Sequence, residues 1–300
     1  MFAKNRTAQP ASRRRPRLAI ERLKMADLYF ADELPEGRLI ELPGRGKAFV
    51  RIASGPEGAP TVVLLHGLMA TADLNWSLAI PALAKRFNVV APDLRGHGRG
   101  LPTRRFSGEE CADDVAAIVR ALDLGRVIVV GYSLGGLVAQ LFARRYPELV
   151  SGIVLCATAS KFEVPTGNGV AHLLERAVRR LPETMRRAAM LALLAPKSVR
   201  NDRGRWLVSE VRRHDTLAML DAIGEAARFD SAPWLGEGTC GAAVIMTQDD
   251  RVVSPEAQME LAKVLGRGRV FEVRGDHFVC IKRPDEFNAV LVAACVGAQG

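Results

Sequence analysis

This chain of 300 residues lacks long apolar runs, a cysteine framework and interleaved aromatics. No uninterrupted apolar stretch approaches the roughly 20 residues that a helical membrane span requires. The five cysteines (Cys111, Cys156, Cys240, Cys280, Cys295) are odd in number and scattered. No C-x-x-C pair or Cys/His spacing points to zinc. Cys156 and Cys280 lie in apolar surroundings, where a thiol behaves as a small hydrophobe, so reduced structural cysteines in a cytoplasmic protein are expected. Aromatics are only 6% of residues and do not alternate with basic ones, which speaks against a base-stacking nucleic-acid surface. Ser12-Arg13-Arg14-Arg15 is followed by only Leu18-Ala19-Ile20 before Glu21, so an export signal's apolar core is missing. What remains, 48% hydrophobic and 25% charged residues, is ordinary globular composition.

One number stands out. Lys and Arg total 42 against 33 Asp and Glu, a net charge of +9. Between Lys4 and Lys24 eight positive residues face one negative, and between Lys161 and Arg213 twelve face five. Each segment carries +7, so the rest of the chain carries −5. Residues 1–24, rich in Pro, Ala and Arg, read as a disordered basic arm. Met25-Ala26-Asp27-Leu28 offers Met25 as an alternative initiator to Met1.

From Arg38 onward β-type and helical patterns alternate. Arg38–Leu42 and Lys47–Ile52 flank Pro43-Gly44-Arg45-Gly46, the pattern of a hairpin. The runs Thr61–Leu65, Asn88–Ala91, Val127–Val130, Gly152–Cys156, Ala243–Thr247 and Arg269–Val273 follow. Unbroken runs such as Val62-Val63-Leu64-Leu65 suit strands covered on both faces. Helical patterns over Leu78–Arg86, Glu109–Ala121, Leu134–Tyr146 and Glu256–Leu265 lie between them. The expected fold is α/β: a doubly wound, mostly parallel sheet of about eight strands. Residues 161–234 break the alternation with helical stretches only (His172–Arg180, Thr184–Leu194, Arg205–Arg213) and read as an inserted helical cap. The core is then 25–160 and 235–300. Within the cap Leu173, Leu174, Val178, Leu181, Met185, Met190, Leu191, Leu193 and Leu194 are expected to face the pocket. Arg176, Arg179, Arg180, Arg186 and Arg187 are expected to face outward, where they offer weak association with anionic lipid.

Gly131-Tyr132-Ser133-Leu134-Gly135-Gly136 joins a strand directly to a helix. A serine on so sharp a turn is held in a strained backbone with Oγ above the sheet, and only very small residues fit two positions to either side. The following helix aims its N-terminal N–H groups at a developing oxyanion. Ser133 is the candidate nucleophile, and it needs a base and an orienting acid. Of the five histidines, His66 and His97 lie in glycine-flanked loops, and His172 and His214 in the cap. His277 follows the last strand, where α/β sheets place their sites, and is the candidate base. Asp249 and Asp250 follow the Ala243–Thr247 strand at the same sheet edge. One of such a pair ordinarily faces inward and the other solvent.

These motifs resemble the α/β-hydrolase superfamily in its capped, esterase-like branch, from about Arg38 to Phe287. Val62–Gly67 resembles the family's strand and H-G oxyanion loop, Asp93–Gly98 its D-x-R-G-H-G loop, and Gly275-Asp276-His277 its terminal histidine loop. Thr247–Val253 resembles G-x-x-D-x-x-V, with Thr247 in place of glycine. The resemblance implies Asp250 as the acid, the N–H groups of Leu68 and Leu134 as oxyanion donors, and a supporting loop role for His66, Gly67, Gly131 and Gly135. It implies a serine hydrolase that cleaves a carboxylic ester or thioester of a small or lipid-like molecule, with neither metal nor organic cofactor. Carbon–carbon hydrolysis, acyl transfer and perhydrolysis use the same triad, and a non-catalytic binding protein on this fold is a remote alternative. Nucleic acid is not an expected partner.

Overall fold

The computed structural model describes residues 34–162, 176–194, 202–238, 240–266 and 268–299. The basic arm, both candidate initiators, His172, Leu173 and Leu174 lie outside the described residues. The sheet has eight strands: β1 (Glu36–Leu42), β2 (Gly46–Ala53), β3 (Thr61–Leu65), β4 (Asn88–Pro92), β5 (Val127–Tyr132), β6 (Val150–Cys156), β7 (Gly241–Thr247) and β8 (Arg269–Val273). Their order is β1-β2-β4-β3-β5-β6-β7-β8. The β1–β2 hairpin packs antiparallel onto β4, and β4 to β8 run parallel.

The unbroken apolar runs are explained by two cores, one on each face. Val63, Leu65, Val127 and Val129 point into one, shared with α3 (Gly108–Ala121), α4 (Leu134–Arg145) and α8 (Pro255–Leu265). Val62, Leu64, Ile128 and Val130 point into the other, shared with α1 (Ala72–Trp76), α2 (Ile80–Leu83), α9 (Val279–Lys282) and α10 (Pro284–Gly297). Each such side chain contributes about 1.5–3 kcal/mol by leaving water. Polar residues set the helix starts: the Ser107 hydroxyl accepts the Glu110 N–H at α3, and Ser254 accepts that of Ala257 at α8.

The expected helix over Leu78–Arg86 is instead a single short turn, α2, and a second short helix, α1, precedes it. Thr71 caps α1 by accepting the Leu74 N–H, which starts a helix early. Pro81 has no N–H to continue a helix and sits in the first turn of α2. α10 escapes sequence periodicity because it is apolar almost all round.

The long β6–β7 connection carries α5 (Glu183–Leu194), α6 (Asp202–Arg212) and α7 (Thr216–Arg228). The sorting of its faces is less clean than amphipathicity predicts. Met190 is buried, but Met185 is 54% exposed. Arg179 and Arg186 are half-buried rather than outward: Arg179 pairs with Asp221 at 2.6 Å, and Arg186 donates to the Thr216 hydroxyl at 2.9 Å. These guanidiniums hold the segment onto α7, so the solvated basic face is smaller than the arginine count implies. No helix among the described residues is long and apolar enough to cross a membrane.

Candidate active site

Parallel strands deliver the expected residues to one edge of the sheet. Ser133 follows β5, Asp250 follows β7, His277 follows β8, and His66 follows β3. Ser133 adopts φ 52°, ψ −116°, a conformation that costs on the order of 1–3 kcal/mol. The turn is held by the Ser133 N–H donating to Cys156 O at 2.9 Å and by the Thr158 hydroxyl donating to Ser133 O at 2.8 Å. The flanking glycines are a packing requirement. A Cβ on Gly131 would overlap the backbone of Gly135, and one on Gly135 would overlap the carbonyls of Leu65 and His66.

Ser133 Oγ lies 3.0 Å from His277 Nε2, and His277 Nδ1 lies 2.8 Å from Asp250 Oδ2. A carboxylate only accepts, so the ring proton sits on Nδ1 and Nε2 is left to accept from the serine hydroxyl. Asp250 is 4% exposed and Asp249 is exposed, the division expected of the pair. Burial pushes the Asp250 carboxyl up. The hydrogen bond and charge of His277, joined by the Val253 N–H and the Thr247 hydroxyl, outweigh this and hold it below the usual range.

Two stretches of backbone flank the serine. Leu134 opens α4, where helix geometry leaves N–H groups without intrahelical acceptors. A Cβ on Gly67 would lie 3.5 Å from that of Ser133, so the Gly67–Ala70 turn runs directly beside it. The Gly67 N–H is engaged by Asn75 Oδ1 at 2.9 Å, and the Ala70 N–H by Gly67 O at 3.2 Å. Leu68 lies between them. Neither Leu68 nor Leu134 N–H has an acceptor among the described residues.

A buried frame surrounds this centre. His66 Nδ1–H donates to Gly67 O at 2.8 Å and Nε2 accepts the Leu94 N–H at 2.9 Å, which ties two loops together. Burial drives His66 down to about 4 and His97 well below the ordinary histidine value, so both are neutral. Asp93 accepts the N–H groups of Ala72 and Arg99 at 2.7 and 2.8 Å. Asp73 is gripped by Arg51 at 2.7 and 2.8 Å and by Arg99 at 2.6 Å.

Sequence reasoning missed several contributors. Thr247, noted only as a departure from glycine, donates its hydroxyl to Asp250 Oδ2 at 2.7 Å. Gln258, one helix away on α8, accepts the Thr247 N–H and donates to its hydroxyl oxygen. The Tyr132 hydroxyl donates to His277 O at 2.9 Å, and its ring meets the imidazole edge-on at 5.8 Å. Only Tyr132 carried a signal, its place inside G-x-S-x-G.

A family model described as alpha/beta hydrolase fold matches residues 60–284. The chain belongs to the α/β-hydrolase fold family. It resembles an uncharacterised protein of Mycobacterium tuberculosis, 38% identical over 113 residues, 37% of this chain and 32% of that protein. It thus spans about a third of the length of the mycobacterial relatives it matches. The pimeloyl-acyl-carrier-protein methyl ester esterase of Sodalis glossinidius is 33% identical over 216 residues, 70% of this chain and 75% of that protein. Among solved structures, a hydrolase from Pseudomonas aeruginosa PA01 superposes with a TM-score of 0.72 at 20% identity, over 88% of this chain and 99% of that one, a likeness of fold.

Proposed function

We propose that this protein is a serine hydrolase that cleaves a carboxylic ester or thioester through an acyl-enzyme, with α5–α7 as a cap over the site. One observation carries the reading: an unbroken relay from Ser133 Oγ through His277 to buried Asp250, beside two N–H groups with no acceptor among the described residues. Ser133 Oγ attacks the acyl carbonyl as His277 Nε2 takes its proton. Asp250 keeps the ring proton on Nδ1 and stabilises the imidazolium. The N–H groups of Leu68 and Leu134 receive the developing oxyanion, where loss of one donor costs about 3–4 kcal/mol in comparable sites. His277 then returns the proton to the leaving group, and water, activated by the same imidazole, releases the acid. The likeness to a methyl ester esterase supports the ester class.

A labelled fluorophosphonate tests the nucleophile, coupled to p-nitrophenyl esters of graded acyl length, a vinylogous diketone and peroxide. Labelling at Ser133 and ester turnover, both lost in Ser133→Ala while the thermal melt stays put, is the expected result. Ester turnover that survives Ser133→Ala refutes the assignment. Selective cleavage of the diketone would move the chemistry to carbon–carbon hydrolysis.

A further inference from the structure

His214 occupies the corner between α6 and α7 and is fully buried. It reaches two loops of the sheet edge at once. Its Nδ1 accepts the Gly98 N–H at 3.1 Å, and its Nε2–H donates to the carbonyl of Met69 at 3.1 Å. The backbone amide can only donate and the carbonyl only accept, so these two bonds select one neutral tautomer.

Met69 is the third residue of the turn closed by Ala70 N–H on Gly67 O, and it stands at φ +57°. A side chain with a Cβ enters this left-handed region at a cost and stays there only when its surroundings impose it. The surroundings here come from the helical insertion. His214 holds the Met69 carbonyl. Four residues earlier, Glu210 accepts from the Thr71 hydroxyl at 3.1 Å and from Arg99 at 3.2 Å. The Asp215 N–H donates to Gly96 O at 3.0 Å. One corner of the insertion therefore grips the 67–71 loop at two points and the 96–98 loop at two more.

We propose that His214 is a positioning residue that sets the oxyanion loop, so that the Leu68 N–H meets the substrate's acyl oxygen only while the α6–α7 corner is seated. Oxyanion stabilisation depends on donors already aimed before charge develops. A turn strained at Met69 relaxes when its external clamp is removed, and Leu68 turns with it. The seating of the insertion and the competence of the hole are thereby one equilibrium. This inference rests on Leu68 serving as an oxyanion donor.

Two substitutions divide the imidazole's functions. In His214→Gln the amide nitrogen sits where Nε2 was and still donates to Met69. In His214→Asn the amide oxygen sits where Nδ1 was, which keeps the acceptor for Gly98 and drops the Met69 bond. For an activated ester, His214→Asn is expected to lower kcat about ten- to a hundredfold with KM within about twofold, somewhat less than outright loss of a donor. His214→Gln is expected to stay within about threefold of the wild type on the same reasoning. Hydrogen–deuterium exchange of the peptide spanning residues 66–71 should quicken in His214→Asn and not in His214→Gln. Equal behaviour of the two variants, or a wild-type kcat for His214→Asn, overturns the proposal. If neither variant folds, Glu210→Gln loosens the same corner through Thr71 and should give the same kcat loss at unchanged KM; an unchanged kcat there overturns it equally. Wild-type protein that takes no fluorophosphonate at Ser133 and cleaves no ester refutes the serine-hydrolase reading instead, and the exchange comparison still decides whether His214 pins the turn.

Discussion

Acidification from pH 8 to pH 5 is expected to remove about 4 kcal/mol of folding stability through buried His66 and His214, about 2 kcal/mol each, with His97 acting in the same direction. His66, His97 and His214 form a cluster, with ring centroids 5.1 Å apart and tilted for the first two, and 5.5 Å apart and edge-on for the last two. Burial lowers all three, His66 to about 4 and His214 to about 3. In two of them the nitrogen a proton would take is occupied: His66 Nε2 and His214 Nδ1 already accept backbone N–H groups. In the unfolded chain each imidazole takes up a proton near pH 6.5, so below that value the unfolded state binds more protons and stability falls with pH. The loss starts near pH 6.5 and continues until the folded values are reached. Each pH unit in this window costs about 1.4 kcal/mol per histidine. Burial raises the carboxyls of Asp93 and Glu210, which act in the opposite sense. Urea unfolding at pH 8, 6.5 and 5, read by linear extrapolation, measures the slope. His97→Gln should make the slope shallower, because one imidazole fewer takes up a proton on unfolding. A free energy that changes by less than about 1 kcal/mol between pH 8 and 5, or resonances of His66, His97 and His214 in the folded protein that titrate near 6.5, would refute the reasoning.

Thr247→Val removes a hydroxyl that donates to the Asp250 oxygen facing His277. It should cost about 1.5–3 kcal/mol of stability, the range for a hydrogen bond to a charged group, with reduced ester turnover, while Thr247→Ser restores both; paired urea melts and ester assays check this. Gly135→Ala forces a Cβ into the carbonyls of Leu65 and His66. It should lose about 1–3 kcal/mol or more by overpacking and slow fluorophosphonate labelling of Ser133, and a wild-type melt with wild-type labelling would contradict the packing argument.

The sheet was readable because its central strands are hydrophobic on both faces: every expected run lies inside an observed strand, within two residues at either end. The relay was readable because its geometry demands small residues around Ser133 and a loop carboxylate and histidine after later strands. Three kinds of information were not. α1 and α2 depend on Thr71, which caps a helix ahead of the expected stretch, and on Pro81, which falls inside it. Arg179 and Arg186 look solvated in a helical wheel, yet each satisfies a partner on α7 or at its start. The contacts of Asn75, Glu210, His214 and Gln258 span from 8 to 205 residues in sequence, and no local pattern encodes a partner so remote.

The position of β8 has a thermodynamic consequence. It is the last strand of the sheet, hydrogen-bonded on one side only, and most of its residues are exposed or half-exposed. The loop that follows it carries His277, whereas Ser133 rises from β5 in the interior of the sheet. Cooperative units at an edge open at lower free energy than those at the centre. On the proposed mechanism, opening of the β8 border alone would take away the proton acceptor and leave the serine and its scaffold intact. Activity is then expected to fail with that border before the core unfolds.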